Sequence, residues 1–323
     1  MKCPNCSYNQ PRGREGMICK KCSYQFIFDP KKDFIFSTRG LHDSLFLKII
    51  ERASARGTYQ FTVNQLLSTK NSLKKLLQND LLLLIPFIFV GIICLSLLGF
   101  SYLLTISLAL LCGAYFALRA RYRRGPGLHN DPWHRFVERW QLAGRPIPGL
   151  ISSGAVATPP PAWDEPDIHD YGVGGIVLTN RNELVDWLVL NNFHTESNLL
   201  VMTVDGYPHY LAQRARHLIQ ENPDLPIWLL HDPGESASSM RSRSFIPADR
   251  ATDLGIDDEV MAQLPIVRKR FGTAERHLLP LDVLPYKMLN GALLYSIAND
   301  SSLNSVLLGG LALGSTEIEI SFG

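Results

Sequence analysis

The hydrophobic and polar positions of this chain follow different patterns in different segments. Residues 81–118 carry no charged side chain. From residue 173 onward, short apolar runs alternate with segments of helical periodicity. Before residue 80, apolar residues recur at helical spacing and cysteines recur in pairs. Because each pattern is typical of a different structure, we expect a multi-domain protein.

The apolar segment predicts two transmembrane helices. One helix of 38 residues would be about 57 Å long, which exceeds the ~30 Å of a hydrocarbon core. Two passes fit, with a break at Gly99-Phe100-Ser101. The alternative is a pair of buried core helices, but these rarely tolerate so long a run that is apolar on all sides. We therefore expect a hairpin over residues 80–118.

Basic residues on both sides of the segment predict its orientation. Three lysines lie within residues 70–75 and four arginines within residues 119–124. Positive flanks stay in the cytoplasm, and no apolar signal segment follows the N-terminal MKCPNC. The prediction is a two-pass protein of the inner (plasma) membrane with both termini cytoplasmic.

Four cysteines near the N-terminus predict a metal site. They form two C-x₂-C pairs, and Ser-Tyr follows each pair. Four thiolates can close a tetrahedron around Zn²⁺, and the segment resembles zinc ribbons with rubredoxin-like knuckles, although serine replaces the usual glycine after each pair. We expect a zinc ribbon over residues 1–33 with a structural rather than catalytic role. The expected ligands are Cys3, Cys6, Cys19 and Cys22.

Residues 34–79 predict two helices. Leu41, Leu45 and Ile49 share one helical face, which ends at Gly57. Thr62 and Gln65 have the spacing of a capping box at the start of the second helix. The pair either packs on the ribbon or forms a helix-turn-helix fragment.

Residues 119–166 predict a helix followed by a linker. Asp131-Pro132 is a typical helix start, and Trp133, Phe136 and Trp140 then fall on one face. This helix could lie in a membrane interface or dock on the C-terminal domain. Residues 144–166 contain six prolines, which is typical of an extended linker.

Residues 167–323 predict an α/β domain. Strands are expected at 176–178, 199–202 and 227–230, with helices at 183–190 and 209–220 between them. This alternation favours a parallel sheet. Ligand sites of such sheets lie beyond the carboxyl ends of the strands, where Asp205 and Asp232 follow the second and third strands.

Within this domain, residues 173–260 resemble the Toprim domain of the topoisomerase VI A subunit family. Gly206-Tyr207-Pro208 matches the family's Gly-x-Pro turn, Asp232-Pro233 matches part of its Asp-x-Asp-Pro-x-Gly motif, and Asp253-Leu-Gly255 resembles a later segment. The resemblance implies Mg²⁺-dependent phosphoryl transfer on nucleic acid.

The chain departs from that family at the acidic positions. The family's glutamate falls at Thr179, and Asp232 matches one of its two aspartates, so one carboxylate of three remains. Mg²⁺ usually needs more than one carboxylate or substrate phosphates. Asp205 could supply a missing carboxylate from a neighbouring strand. Asp205 and Asp232 are therefore the candidate catalytic residues. The alternative is that both aspartates cap turns.

The charge distribution along the chain bears on whether nucleic acid is a partner. Residues 1–80 carry a net charge of +8, and residues 125–323 carry −10. A duplex-binding face normally has clustered lysine and arginine, so the acidic C-terminal region opposes a nucleic-acid enzyme.

Two functional hypotheses follow. The first is a membrane-anchored, cytoplasm-facing zinc-ribbon protein whose degenerate Toprim-like domain is a non-catalytic scaffold for an unidentified protein partner or a nucleotide. The alternative is a membrane-tethered, Mg²⁺-dependent enzyme of nucleic-acid cleavage, DNA maintenance or defence. A weaker third idea is a sensor in which the ribbon contacts nucleic acid.

Overall fold

The computed structural model describes residues 2–10, 17–36, 39–73, 133–159, 172–271 and 279–312. These residues form a cysteine-rich N-terminal segment, several helices and a four-stranded parallel sheet covered by helices. The predicted parallel α/β architecture is thereby confirmed.

The predicted transmembrane hairpin is not supported. No helix in the described ranges is both long enough and apolar enough to cross a membrane, and residues 80–118 themselves lie outside those ranges. The prediction is therefore corrected, and with it the two-pass inner-membrane location, whereas the membrane as a partner stays a prediction. The physical reason is length, because the longest helix of the described ranges, Tyr286–Ala298, has 13 residues, whereas a membrane-spanning helix needs about 20.

The N-terminal part contains a short hairpin and two helices. Strands β1 (Phe34–Phe36) and β2 (Arg39–Gly40) pair antiparallel. Helix α1 (Asp43–Ala53) buries Leu45, Phe46, Ile49 and Ile50, which are spaced as one helical face requires. After α1 the chain turns through Gly57, whose φ of 89° suits glycine.

Helix α2 (residues 63–73) begins at the predicted capping box. The backbone N–H of Gln65 donates to Thr62 Oγ1, and the N–H of Thr62 donates to Gln65 Oε1, both at 3.2 Å. These reciprocal bonds satisfy backbone donors that a helix start leaves without partners. The capping-box prediction is confirmed.

Helix α3 (Trp133–Leu142) packs on the N-terminal part. Its apolar face, which includes Trp133, Phe136 and Trp140, is buried. The Trp140 ring stacks on Phe28 at 5.8 Å and lies 4.9 Å from Phe46 of α1. The aromatic face is therefore covered by protein, which excludes the interfacial orientation considered from sequence, and its ring contacts are with the N-terminal part.

The sheet consists of four parallel strands in the order β4-β3-β5-β6. The strands predicted from sequence coincide with β3, β4 and β5, and the short β6 adds an edge. Every residue of β3 and β4 is buried, and most of these residues are apolar, as expected for strands covered on both faces. The bounds are β3 (Gly175–Thr179), β4 (Leu199–Thr203), β5 (Ile227–Leu230) and β6 (Thr252–Asp253).

Helices cover both faces of the sheet. One apolar cluster joins α4 to Val177 and Val201, and a second joins α6 and α7 to Ile176 and Leu178. The helices are α4 (Asn182–Leu190), α5 (Phe193–Ser197), α6 (Ala212–Glu221), α7 (Ala237–Arg243), α8 (Asp258–Gln263), α9 (Pro265–Phe271), α10 (Tyr286–Ala298) and α11 (Leu303–Ala312), with 3₁₀ turns at His209–Leu211 and Leu281–Val283.

Successive strands are added to opposite sides of β3. The connection from β3 to β4 runs to one side, whereas β5 and β6 follow on the other side of β3. Right-handed crossovers then place α4 on one face and α6 and α7 on the other, as observed. The topological switch point, where α/β folds bind ligands, therefore lies between the carboxyl ends of β3 and β5.

The N-terminal helices share their core with the α/β part. The cluster that includes Val177 also contains Phe28, Phe46, Leu66 and Leu289. Hydrogen bonds reinforce this packing, since Asn191 at the end of α4 accepts from the backbone N–H of Gln60 at 2.8 Å. The start of α2 lies beside the carboxyl end of β3, because Thr62, Val63 and Asn64 line the same cavity as Arg181.

Candidate functional site

The two cysteine pairs form two nearly identical knuckles. The N–H of Ser7 donates to the Cys3 carbonyl at 3.0 Å, and the N–H of Ser23 donates to the Cys19 carbonyl at 2.9 Å. Both serines have a φ of 58°, which is the left-handed conformation that explains the usual glycine at this position. The knuckle geometry therefore forms with serine in place of the usual glycine.

The four cysteine sulfurs converge on one point. Cys3 Sγ lies 3.6 Å from Cys22 Sγ, and Cys6 Sγ lies 3.6 Å from Cys19 Sγ. All four lie within 4.8 Å of one another. Bonds of ~2.3 Å in a tetrahedral ZnS₄ centre place the sulfurs about 3.8 Å apart, so the spacing fits such a centre. The tetrad could hold a metal ion, as predicted.

Backbone N–H groups of the second knuckle favour the thiolate form of Cys19. Burial raises the pKa of this thiol, but hydrogen bonds from the N–H groups of Cys22 and Lys21, with smaller contributions from Cys6 and Cys3, lower its pKa to about 7. Metal binding requires deprotonated thiols. These N–H groups thus favour a deprotonated sulfur at Cys19, one of the four potential ligands.

Asp43, the first residue of α1, joins the ribbon to the rest of the protein. Its fully buried carboxylate accepts from Tyr24 Oη at 2.8 Å and from the N–H groups of Ile27 and Phe28 at 3.0–3.2 Å. Arg145 Nη1 lies 3.3 Å from the same carboxylate. The ribbon is therefore attached through one buried, fully hydrogen-bonded charge.

Polar side chains meet at the carboxyl edge of the sheet, where the sequence predicted a site. Thr179 is fully buried and donates its hydroxyl to the carbonyl of Arg181 at 3.1 Å. Asp205 is exposed in the turn after β4. Asp232 follows β5 and is largely shielded. The three positions thus differ in burial and in partners.

Arg181 occupies the centre of this edge. Its Nε donates to Asp232 Oδ2 at 2.5 Å, and its Nη2 donates to Asp282 Oδ1 at 2.6 Å. Asp232 Oδ1 also accepts from the backbone N–H of Leu281 at 2.6 Å, and Asn64 Nδ2 donates to Asp282 at 3.1–3.2 Å. The oxygens of both carboxylates are therefore already bound by protein donors.

The charge state of Arg181 follows from its neighbours. Burial lowers its pKa, but the negative charges of Asp282 and Asp232 outweigh burial and raise the pKa above the usual value. The guanidinium stays protonated and supplies the positive charge that the two carboxylates need in a shielded site.

Asp205 does not join Asp232. Strand β3 lies between β4 and β5, so the ends of the strands that carry the two aspartates are separated by two strand spacings, about 10 Å. In the part of the chain that the structure describes, the cysteine tetrad is the one group of three or more potential ligands close enough to share a metal ion. Asp205 therefore follows a strand that neighbours β3 but not β5.

A cavity of about 330 Å³ opens beside Arg181. It is bounded by the first residues of α2, by residues 151–153 and by the sheet edge, with Asn64, Ile151, Ser153, Arg181, Glu183 and Asp282 among its walls. Its volume is at the lower end of small-molecule sites, and Arg181 places it at the switch point. The cavity is the candidate binding site of the α/β part.

A histidine and an aspartate pair near the same edge. His231 is buried, and its Nε2 lies 3.2 Å from Asp253 Oδ1. Burial lowers the pKa of His231, but its contacts with Asp253 and with the carbonyl of Asp232, and the charge of Glu235, raise the pKa above the usual value. The contact with His231 lowers the pKa of Asp253. When His231 is protonated, it therefore forms an ion pair with Asp253.

Comparison with known proteins gives no match to a protein-family model, to a curated protein or to a solved structure. The zinc-ribbon and Toprim resemblances therefore stay predictions.

Sequence reasoning missed the central roles of Arg181 and Asp282. Arg181 stood at a predicted strand end, and its position at the switch point was the available signal. Asp282 lies about a hundred residues later in the chain, in the turn Leu281–Val283. No local sequence pattern connects Asp282 to β3, so the contact between Asp282 and Arg181 could be identified only from the tertiary structure.

Proposed function

We propose that this chain is a zinc-ribbon protein whose α/β part is a non-catalytic binding module, with the cavity beside Arg181 as its binding site. The proposal keeps the scaffold hypothesis from the sequence without the membrane anchor. Zinc is the metal proposed for the four cysteines, because sulfur-only tetrahedral sites are typical of Zn²⁺ or iron–sulfur centres, and paired knuckles are typical of structural zinc.

The single observation that carries the proposal is the bonding of Asp232. Metal-dependent phosphoryl transfer needs ions held by fixed oxygens that neutralise developing charge. The oxygens of Asp232 accept from Arg181 and from the N–H of Leu281 instead. A guanidinium stands beside the carboxylate that the catalytic alternative requires, and Asp205 is two strands away.

The charge of the C-terminal region supports the same conclusion. Residues 125–323 carry a net charge of −10, whereas binding to a nucleic-acid backbone is driven mainly by lysine and arginine contacts. A polar ligand or a protein partner fits this region better than a duplex.

A cleavage assay tests the proposal against the Mg²⁺-dependent enzyme. The full chain is incubated with supercoiled DNA, single-stranded DNA or RNA in the presence of Mg²⁺ or Mn²⁺. We expect no cleavage above that of a buffer control. Metal-dependent cleavage that is abolished by Asp205→Ala and also by Asp232→Ala would establish an enzyme with a rebuilt site and would refute the binding-module proposal.

A further inference from the structure

We propose that the metal occupancy of the four-cysteine site controls the cavity beside Arg181, through one segment that contacts both the ribbon and the cavity. This segment, residues 145–156, is called the strap. The inference rests on the proposed function in one respect, because it names the regulation of the same cavity.

The first end of the strap is held by the ribbon. The Arg145 guanidinium stacks on the Tyr24 ring at 4.1 Å, and its Nη2 donates to the carbonyl of Gln25 at 2.6 Å. Tyr24 belongs to the second knuckle, since its carbonyl accepts from the N–H of Cys19 at 2.8 Å. The residues that hold Arg145 are thus ordered by the same turn that presents two of the four sulfurs.

The middle of the strap is paired with Phe61, two residues before α2. The N–H of Phe61 donates to the Gly149 carbonyl at 2.8 Å, and the N–H of Ile151 donates to the Phe61 carbonyl at 3.0 Å. Phe61 is fully buried. This pairing positions Ile151 and Ser153 as one wall of the cavity.

The second end of the strap is held by the α/β part. Asp186 of α4 is fully buried, and its carboxylate accepts from the N–H groups of Gly154 and Val156 at 2.9 and 3.1 Å. The Tyr207 hydroxyl donates to the same carboxylate at 2.5 Å. The strap is therefore tied to the turn after β4 as well as to α4.

The ribbon needs its metal ion to stay folded and so to hold the first end of the strap. The buried hydrophobic residues of its own core are Cys3, Cys19 and Phe26, which is too little apolar surface for independent stability. Loss of metal unfolds sites of this kind, so Tyr24 and Gln25 would release Arg145. The first end of the strap would then keep only the contacts of Arg145 with Asp43 and Trp140 among those named for it, and the wall formed by Ile151 and Ser153 would loosen.

The coupling works in both directions. A ligand that needs the ordered wall would bind more tightly to the metal-loaded protein, and the same ligand would raise the affinity for the metal by the same factor. Couplings between sites are typically about 5- to 150-fold. The strap is the segment whose order would depend on both the metal site and the cavity.

Hydrogen exchange of the full chain tests the inference. Exchange is measured for the zinc-loaded protein and after zinc removal with a chelator. We expect the amides of Ile151, Gly154 and Val156 to exchange at least about 5-fold faster without zinc, while the amide of Val204, bonded to the Thr179 carbonyl in the sheet, keeps its rate. The Cys3 and Cys19 amides report unfolding of the ribbon.

An Arg145→Met variant distinguishes release of the strap from a general effect of zinc removal on the protein. It should bind zinc and show fast strap exchange with or without the metal, whereas the matched control Arg135→Met should behave as the wild type. Arg145→Lys serves as a second variant, because it keeps the charge near Asp43 but loses the fork that contacts Gln25.

Two results would overturn the inference. One is unchanged strap exchange while the ribbon amides exchange freely, and the other is an equal acceleration of strap and sheet amides, which would indicate global unfolding. Neither result depends on DNA cleavage, so a failure here is distinguishable from a failure of the binding-module proposal.

Discussion

Arg181 Nε lies 2.5 Å from Asp232 Oδ2, which makes a guanidinium the direct partner of the carboxylate at the carboxyl end of β5. The same guanidinium binds Asp282, whose side chain is 1% exposed. At the switch point of the sheet, a fixed positive side chain therefore meets two carboxylates. This arrangement explains why the edge can be stable without a metal ion, and it leads to the first prediction.

Replacing Arg181 with methionine should destabilise the protein. Two shielded carboxylates would lose their cation, and removal of one partner from a buried pair costs about 3 kcal/mol or more. The matched control is Arg243→Met, because Arg243 pairs with Glu235 at 3.2 Å on the surface and should change stability by less than about 1 kcal/mol. Urea unfolding measures both. Equal effects of the two variants would show that the Arg181 network is energetically unimportant.

Metal content tests the cysteine tetrad. The purified full chain should contain one zinc ion, and Cys22→Ser should lose it because a closed site needs all four ligands. Cys112→Ser, which alters a cysteine outside the two pairs, should keep the zinc. Elemental mass spectrometry gives the stoichiometry. Full zinc content in Cys22→Ser would contradict the assignment of the ligands.

Gly255 should not tolerate a side chain. A Cβ at this position would lie 1.9 Å from His231 Nε2, so the buried ring would have to move. Overpacking of this kind costs about 1–3 kcal/mol. The control is Gly291→Ala in the middle of α10, where a Cβ meets no atom within 4 Å, so the variant should gain up to about 1 kcal/mol from helix propensity. A thermal unfolding series that ranks the two variants in the opposite order would contradict this packing.

The His231–Asp253 pair predicts a pH dependence of stability. The pKa of His231 is raised, so its contribution is present below about pH 6.5 and is lost as the pH rises through the raised pKa. The pKa of Asp253 is lowered, so its contribution is lost only in acid. The pair therefore contributes fully between about pH 4 and 6.5, and its contribution declines at higher pH.

Asp253→Asn measures this contribution. Asp253 is half exposed, so the variant should lose about 0.5–1 kcal/mol at pH 6 and much less at pH 9. Asp249→Asn, which removes an exposed charge nearby, should show no such difference between the two pH values. Urea unfolding at both pH values is the measurement, and an Asp253→Asn effect that grows with pH would be incompatible with a protonated His231.

Local patterns predicted much of the fold. The capping box of Thr62 and Gln65, the buried strands β3 to β5 and the knuckles of the tetrad all arise from residues close together in sequence. Their hydrogen bonds and their hydrophobic periodicity are short-range properties, so the sequence alone determines them well.

Contacts between distant segments could not be predicted. Nothing near Arg181 indicates that Asp282 would return to it, and the strand order that separates Asp205 from Asp232 is a property of the whole sheet. The membrane prediction found no support, because none of the helices in the described ranges is long and apolar enough to span a membrane. Distant contacts of this kind decide the character of the candidate site.

The most direct test of the central claim is whether Asp232 binds a divalent ion. Mn²⁺ prefers oxygen ligands and should not enter the cysteine tetrad, so paramagnetic resonance of the zinc-loaded full chain titrated with Mn²⁺ reports on the sheet edge alone. The binding-module account predicts no stoichiometric Mn²⁺ in the wild type, in Asp232→Asn or in the control Asp249→Asn. One bound Mn²⁺ in the wild type and in Asp249→Asn, lost in Asp232→Asn and in Asp205→Asn, would contradict the account.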